Sequence, residues 1–213
     1  MLYSIDNEHN KRTQVIENLG QMGEDVTFKT DMLDMHYSIP NHGVPVSKQV
    51  EGRKLLINAN TGEQLSVVGE KYNNPYSHAE QFQAIEKRII SSKLDLTDMK
   101  REVSVSHDGA RAYARYSFPS HTIEVGNTGP VSLDILCRNS FDGSWPTIFE
   151  GGAERWACLN KCVFGTAFAV SKQRHTKNIN YEKGAVQVMN CLEAFMKESE
   201  KWNEWINTPV KDE

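Results

Sequence analysis

The spacing of apolar residues divides the chain at about residue 48. Residues 1–48 are polar and carry mainly acidic charges. Two prolines and a glycine within residues 39–46 exclude a helix there and favour an extended connector or, alternatively, an edge strand. From residue 49 onwards, apolar residues recur with the periods of strands and helices. We therefore predict a polar, irregular N-terminal arm over residues 1–48 and a single domain over residues 49–213.

Two alternating stretches predict β-hairpins. The first pairs residues 54–58 with residues 64–68 across an Asn-Thr-Gly turn, and the second pairs residues 103–106 with residues 112–118 across an Asp-Gly turn. Further strands are predicted over residues 121–125, 131–137, 146–149 and 155–164, although the last of these also fits a helical face.

Two other stretches have the helical period. Ser77 and Glu80 form a capping-box pattern, and Phe82, Ile85 and Ile89 then fall on one face. Residues 184–206 repeat apolar residues at helical spacing. The sequence thus predicts an α+β fold, with an antiparallel sheet, a central amphipathic helix and a long C-terminal helix.

Composition limits the possible classes of protein. The 213 residues carry 24 basic and 28 acidic side chains, a net charge of −4, so any basic surface must be local. No run of about 20 apolar residues is present to span a bilayer, and the N-terminus lacks the pattern of a signal peptide. We expect a cytoplasmic protein without a membrane partner, in the host cell's cytoplasm if the protein is viral.

The four cysteines favour free thiols. Cys158 and Cys162, with His175 further along, suggest zinc, but the second ligand pair typical of structural zinc sites is missing. We interpret the cysteines as small buried side chains and predict no metal and no cofactor.

The most distinctive motifs lie between residues 138 and 176. They are an N-S-x-D-G-S stretch within Arg138–Ser144, a G-x-x-R-x-x-C-x-N stretch ending at Asn160, and the pair His175-Thr176; Leu65–Tyr72 belongs with them. This set resembles a phage- and plasmid-encoded family of unknown function. The resemblance covers roughly residues 50–180, favours a strand over residues 155–164, and implies a genome-handling protein of a mobile element. It implies no catalytic mechanism.

A basic segment with interleaved aromatic residues runs from Arg155 to Lys177 and contains no acidic residue. Cations follow a phosphate backbone, and aromatic faces stack on unpaired bases. The predicted nucleic-acid-binding residues are Arg155, Trp156, Lys161, Phe164, Lys172, Arg174 and Lys177, with Arg138, Arg111 and Arg115 beside them. The alternative for each residue is an ordinary solvated or core position.

The N-S-x-D-G-S stretch has two interpretations. Asp142-Gly143 makes a tight turn whose backbone groups Ser140 and Ser144 can satisfy, which is a purely structural role. Alternatively, the stretch forms a polar loop that holds a phosphate or a base edge.

Three functions remain open at this stage. The leading hypothesis is a phage-type single-stranded DNA-binding protein, not an enzyme, that also anneals strands and forms homo-oligomers; the order of elements is loosely similar to single-strand annealing recombinases. The second is a protein-binding factor that acts on a host defence or replication component. The third is a metal-dependent nuclease that uses Asp134, Asp142, Glu150 and Glu154.

Overall fold

The computed structural model describes residues 12–15, 19–42, 44–72, 76–92, 94–124, 130–156, 163–176 and 178–208. Within these ranges the strands are β1 (Arg12–Val15), β2 (Thr30–Asn41), β3 (Val44–Asn58), β4 (Gln64–Gly69), β5 (Lys100–Ser106), β6 (Arg111–Glu124), β7 (Pro130–Ser140), β8 (Thr147–Trp156) and β9 (Val163–Gln173). The helices are α1 (Glu24–Thr27), α2 (His78–Ile90) and α3 (Tyr181–Asn207), and a 3₁₀ turn spans His107–Gly109. The fold is α+β with antiparallel strand pairing, as predicted, but it contains two sheets.

The larger sheet has the strand order β1-β5-β6-β7-β8-β9. From β5 onwards it is a meander in which each strand pairs with the next, so Val103, Ala114, Cys137 and Phe149 lie in one row across four strands. Because side chains alternate between the two faces of a sheet, this row and its neighbours on the same face point towards the helices. All four residues of the row are buried.

Helices α2 and α3 cover that face of the sheet. A capping box begins α2, in which the Ser77 hydroxyl accepts from Glu80 N and the Glu80 carboxylate accepts from Ser77 N. Phe82, Ile85 and Ile89 of α2 are completely buried. A Cβ atom on Gly184 of α3 would lie 2.5 Å from the Phe149 ring, so this glycine allows the helix to approach the sheet closely.

The smaller sheet has the order β2-β3-β4 and packs on the end of the larger one. Phe28, Leu56 and Phe141 form the centre of a second apolar cluster, which joins the two sheets. Leu65, Val68 and Ala110 complete this cluster. The motif residue Phe141 therefore connects the two parts of the fold.

Both predicted hairpins are confirmed. β3 pairs with β4, and β5 pairs with β6 through a turn in which His107, Asp108 and Gly109 all have positive φ. β2 and β3 form a long hairpin over residues 30–58, so the irregular structure predicted there is wrong outside residues 39–46, where the edge-strand alternative is the correct one; position 48 lies inside β3. Pro40 and Pro45 face each other near its tip, where missing backbone donors matter least.

The predicted strand over residues 155–164 overlaps two strands of the structure: β8 ends at Trp156, and β9 begins at Val163. Residues 157–162 lie outside the described residues. In the part of the chain that the structure describes, no helix has the length and apolar character needed to cross a bilayer.

Candidate nucleic-acid interface

The face of the larger sheet opposite the helices carries most of the described cationic candidates. One row across it contains Tyr113, Arg138, Ile148 and Lys172, in register from β6 to β9. Arg115 lies on the same face of β6, two residues beyond Tyr113. The fold thus brings Arg115, Arg138 and Lys172, which are distant in sequence, onto one surface.

Three of the described arginines among the candidates, Arg111, Arg115 and Arg138, are ion-paired. Their nitrogens lie 2.6–2.8 Å from carboxylate oxygens in the pairs Arg111–Asp142, Arg115–Asp134 and Arg138–Glu150. None of these six side chains is more than 22% exposed. Each arginine is locally neutralised, so its first role is to hold adjacent strands and the motif turn in place.

Lys172 and Arg174 differ from these arginines. Both are exposed, and neither forms an ion pair with a described carboxylate. Because Thr147 pairs with Gln173, the two cations flank the point where β8 begins. Within the described part of the predicted set, they are the cations best placed to meet a phosphate.

The N-S-x-D-G-S stretch forms a tight turn before β8. Ser140 Oγ donates to Trp145 O at 2.9 Å and accepts from Trp145 N at 3.0 Å, which closes the loop. Asp142 Oδ1 accepts from Ser144 N at 2.9 Å, and Gly143 has a φ of 74°. Asn139 and Phe141 are fully buried, so most of the motif is structural.

Five side chains meet at this turn, and we call them the Trp145 cluster: Tyr72, Arg111, Asp142, Trp145 and His175. The Arg111 guanidinium lies 5.6 Å from the Trp145 ring centre, within the range of a cation–π contact. His175 Nε2 lies 3.0 Å from Trp145 O, and its ring centre lies 5.8 Å from that of Tyr72. Three of the four segments that carry the family resemblance, 65–72, 138–144 and 175–176, therefore converge at one place.

Two titratable groups of the Trp145 cluster are shifted. Burial raises the pKa of Asp142, but hydrogen bonds from Ser144 and the Arg111 guanidinium outweigh it, and the net pKa is lowered. Burial lowers the pKa of His175, which keeps its imidazole neutral; a neutral ring donates through Nε2 to the Trp145 carbonyl. At neutral pH the cluster thus contains a cation–carboxylate pair, a neutral imidazole and a half-buried indole.

A buried polar network lies behind the turn. His78 Nε2 lies 2.8 Å from Gly109 O, and His78 Nδ1 lies 3.0 Å from Asn139 Nδ2. Thr147 Oγ1 donates to Asn139 Oδ1 at 3.0 Å. Since each of these partners is satisfied inside the protein, the network connects α2 to the motif and offers no open position to a ligand.

We predict that His78 makes the protein sensitive to acid. Burial lowers its pKa from 6.5 to about 4, so the unfolded chain binds a proton between these values that the folded chain does not. Stability must therefore fall as pH falls from about 6.5 towards 4, by about 2 kcal/mol between pH 7 and pH 5. Urea unfolding of the wild type and His78→Gln at both pH values tests this, and equal pH dependence in the two proteins would contradict it.

The remaining predicted residues lie at the other end of the sheet or outside the described residues. Arg155 pairs with Val131 and Phe164, seven residues along β8 from Ile148 and hence roughly 24 Å away. Trp156 follows it on β8, but the structure does not describe the side chains of Arg155, Trp156 and Phe164. Lys161 and Lys177 lie outside the described residues.

Sequence reasoning missed Trp145 and Tyr72. The available signal was position: Trp145 directly follows the N-S-x-D-G-S motif, and Tyr72 ends the segment 65–72 that carries part of the resemblance. The contact of Arg111 with Asp142 joins residues 31 apart and has no local signal.

Groups suited to metal binding are not found among the described His, Cys, Asp and Glu side chains. Cys137 is buried, and burial raises the pKa of its thiol. Cys158 and Cys162 lie outside the described residues. Three of the four carboxylates considered for a nuclease, Asp134, Asp142 and Glu150, pair with three different arginines.

Residues 64–213 match the family described as a domain of unknown function (DUF932). No curated protein and no solved structure matches the chain.

Proposed function

This chain belongs to the DUF932 family, and we propose that it is a phage-type single-stranded DNA-binding protein that acts in replication or recombination and also anneals strands. The observation that carries the proposal is the pair of exposed cations, Lys172 and Arg174, which pair with no described carboxylate and lie beside the Trp145 cluster. No covalent step is required.

The two cations supply attraction for the phosphate backbone. A cation that neutralises a phosphate releases a condensed counterion, so binding through Lys172 and Arg174 weakens as salt increases. Both residues protrude from the β9 side of the sheet, where the described carboxylates are already occupied by arginines. A polyanion approaching this edge therefore meets positive charge first.

Trp145 supplies a stacking surface. Its indole is half-buried and lies against Arg111, which restricts the orientations that the ring can adopt. Stacking of an unpaired base on an aromatic ring contributes about 1–3 kcal/mol and requires no particular sequence. Because bases in a duplex are already stacked on each other, this contact favours single strands.

Strand β9 indicates the path that a bound single strand would follow across the sheet. Lys172 lies near its end and Phe164 near its beginning, eight residues and roughly 27 Å apart. If Arg155, Trp156, Lys161, Phe164 and Lys177 also contact DNA, as the sequence predicts, the nucleic acid follows β8 and β9 from the Trp145 cluster to the far end of the sheet. Annealing additionally requires that two strands be held together, which a homo-oligomer would achieve.

The direct test is fluorescence anisotropy with labelled single-stranded and duplex oligonucleotides of matched sequence over a salt series. We expect preference for the single strand and a steep loss of affinity with salt. Absence of binding at low salt would overturn the proposal.

The double variant Lys172→Ala/Arg174→Ala should bind single-stranded DNA more weakly and with less dependence on salt. The slope of log K against log salt is negative, and removing two phosphate contacts should make it shallower by about 1.4. The double variant Lys183→Ala/Lys197→Ala removes the same charge from exposed positions of α3 and serves as the matched control.

In both variants the midpoint of thermal unfolding should stay close to that of the wild type, because all four side chains are exposed. Equal affinity of the two variants would show that the interface lies elsewhere. Adding Lys177→Ala to the first variant extends the test to a predicted residue.

A protein-binding factor is the second candidate, favoured by the exposed Val186 and Trp205 of α3, which are 43% and 65% exposed. Such a factor would keep its partner at high salt and would not bind oligonucleotides. The anisotropy series therefore separates the two functions.

A further inference from the structure

The smaller sheet exposes an apolar stripe. Of the twelve exposed large apolar side chains among the described residues, seven lie on this sheet: Met32, Leu33, Tyr37, Ile39, Val44, Val46 and Val67. A concentration of exposed apolar side chains on one element marks an interaction surface.

Most of these residues share one face. Every second residue of β2 from Leu33 to Ile39 is apolar, and the strand neighbours across the sheet continue the pattern. Leu33 faces Leu55, which in turn faces Val67, and Ile39 faces Val46. The stripe therefore runs over all three strands, on the side opposite the buried Leu56.

Strand β2 is also an edge. It has twelve residues and pairs only with β3 among the described strands, so one row of its backbone donors and acceptors faces outwards. Natural edge strands are usually protected by lysines, central prolines or short length. β2 carries no lysine or arginine, and its proline, Pro40, is next to the last residue; its one irregularity is a register shift against β3 between Asp34 and His36.

We propose that this edge pairs with the β2 edge of a second copy of the chain, antiparallel and about a twofold axis at Met35, to form a continuous six-stranded sheet. Isologous pairing of this kind places the same surface on both subunits, so the strand must be complementary to itself.

The charges of β2 favour this register over those centred on Asp34 and on His36. Centred on Met35, the pairing puts Asp34 opposite His36 of the second copy and Asp31 opposite Ile39, so no aspartate faces another. Centring on Asp34 would place two carboxylates face to face, and centring on His36 would place two imidazoles face to face. Asp34 pairs through Oδ1 with Lys54 of its own chain, and its second carboxylate oxygen can accept an N–H from the imidazole opposite, which favours the Met35 register over these two.

The apolar residues select the same register. On the stripe side, Leu33 lies opposite Tyr37 of the second copy, and Met35 lies opposite itself. Aromatic and aliphatic cross-strand pairs are the contacts that stabilise antiparallel strands. The stripes of the two subunits then join into one surface.

The first test measures the mass of the full chain in solution without nucleic acid, by sedimentation equilibrium over a concentration series. We expect a dimer that Met35→Lys weakens by roughly tenfold or more, because two lysines then lie opposite each other at the axis. The matched control is Val67→Lys, which places the same charge on the same stripe but on β4, and should leave the dimer intact. A monomeric wild type, or equal effects of the two variants, would overturn edge pairing.

A charge swap tests the register and covers the case in which Met35→Lys fails to fold. His36→Asp places two aspartates opposite each other and should weaken the dimer, and the double variant Asp34→His/His36→Asp should restore it. Oxidation of a mixture of Leu33→Cys and Tyr37→Cys should give more cross-linked dimer than either variant alone, with the wild type correcting for its native cysteines. Because the swap also removes the Asp34–Lys54 ion pair, Lys54→Ala, which removes that pair alone, is its reference. Failure of the swap to restore the dimer to the level of this reference, or equal cross-linking, would overturn the Met35 register.

This inference does not depend on nucleic-acid binding. A dimer that does not bind oligonucleotides would support the pairing of β2 edges and contradict the proposed function. A monomer that binds DNA would support the proposed function and contradict the pairing.

Discussion

Arg101→Met is expected to lower the free energy of unfolding by about 3–5 kcal/mol, because it leaves the buried Glu86 carboxylate without its counter-charge. The Arg101 side chain is 0% exposed and that of Glu86 is 2% exposed, and Arg101 Nε lies 2.8 Å from Glu86 Oε1. Tyr116 OH and Gly20 N also donate to this carboxylate, at 2.8 and 2.6 Å.

Denaturation in urea with m-values checks this expectation, and the double variant Glu86→Leu/Arg101→Met is the control. Removing both charges avoids an unpaired buried ion, so the double variant should lose less stability than Arg101→Met, although Tyr116 OH and Gly20 N still lose a partner. A loss below about 1 kcal/mol in Arg101→Met would show that water solvates Glu86, contrary to its burial.

The pH dependence gives an independent check. Burial raises the pKa of Glu86, and Arg101 is the main influence that lowers it again. Without Arg101, the carboxyl group takes up a proton more readily in the folded chain than in the unfolded chain, so acid relieves the penalty. The difference in stability between the wild type and Arg101→Met should therefore shrink as pH is lowered from 8 to 5.

This ion pair also explains how the chain before β2 is attached. Arg101 donates to Gln21 O at 2.8 Å, and Glu86 binds Gly20 N, so the segment at residues 20–21 is fastened to β5 and α2. No periodicity in residues 1–48 could predict this attachment, because it depends on backbone atoms and on two charges 15 residues apart.

The sequence was sufficient to predict an element where a turn or a helix cap defined its position. Ser77 and Glu80 fix the beginning of α2, and the Asp108-Gly109 turn fixes the β5–β6 register. In each case the deciding contacts lie within a few residues, which is the range that a sequence pattern reports.

The β2–β3 hairpin of the smaller sheet was predicted only as a connector or an edge strand over residues 39–46, because two signals conflicted. Pro40 and Pro45 favour a connector, yet Leu33, Met35, Tyr37 and Ile39 alternate as a strand requires. The prolines are tolerated because they face each other near the hairpin tip, a pairing that becomes visible only in the fold.

The candidate site was predictable in its parts but not in its assembly. The sequence indicated the basic character of Lys172 and Arg174, which the fold leaves exposed. It could not show that Arg111, Arg115 and Arg138 would each find a carboxylate, because these pairs join different strands or a strand and a turn.

Phe141→Ala is expected to cost about 3–5 kcal/mol of stability and, in addition, to weaken nucleic-acid binding. Phe141 is 0% exposed, and its ring centre lies 5.6 Å from that of Phe28 and 4.1 Å from that of His78. Its backbone N donates to Ala110 O at 2.7 Å, and its carbonyl accepts from Ser66 Oγ at 2.8 Å. The side chain thus anchors the turn that carries Asp142 and leads into Trp145.

Phe118→Ala is the matched control, because Phe118 is equally buried but lies in the main core on β6, away from the motif turn. Both variants should lose similar stability in urea, since each removes the same buried ring. At a temperature where both remain folded, only Phe141→Ala should bind a single-stranded oligonucleotide more weakly, because only this change removes the support beneath the Trp145 cluster. Equal affinity of the two variants would show that the motif turn does not contribute to nucleic-acid binding. Lys172 and Arg174 would then bind the nucleic acid without the Trp145 cluster.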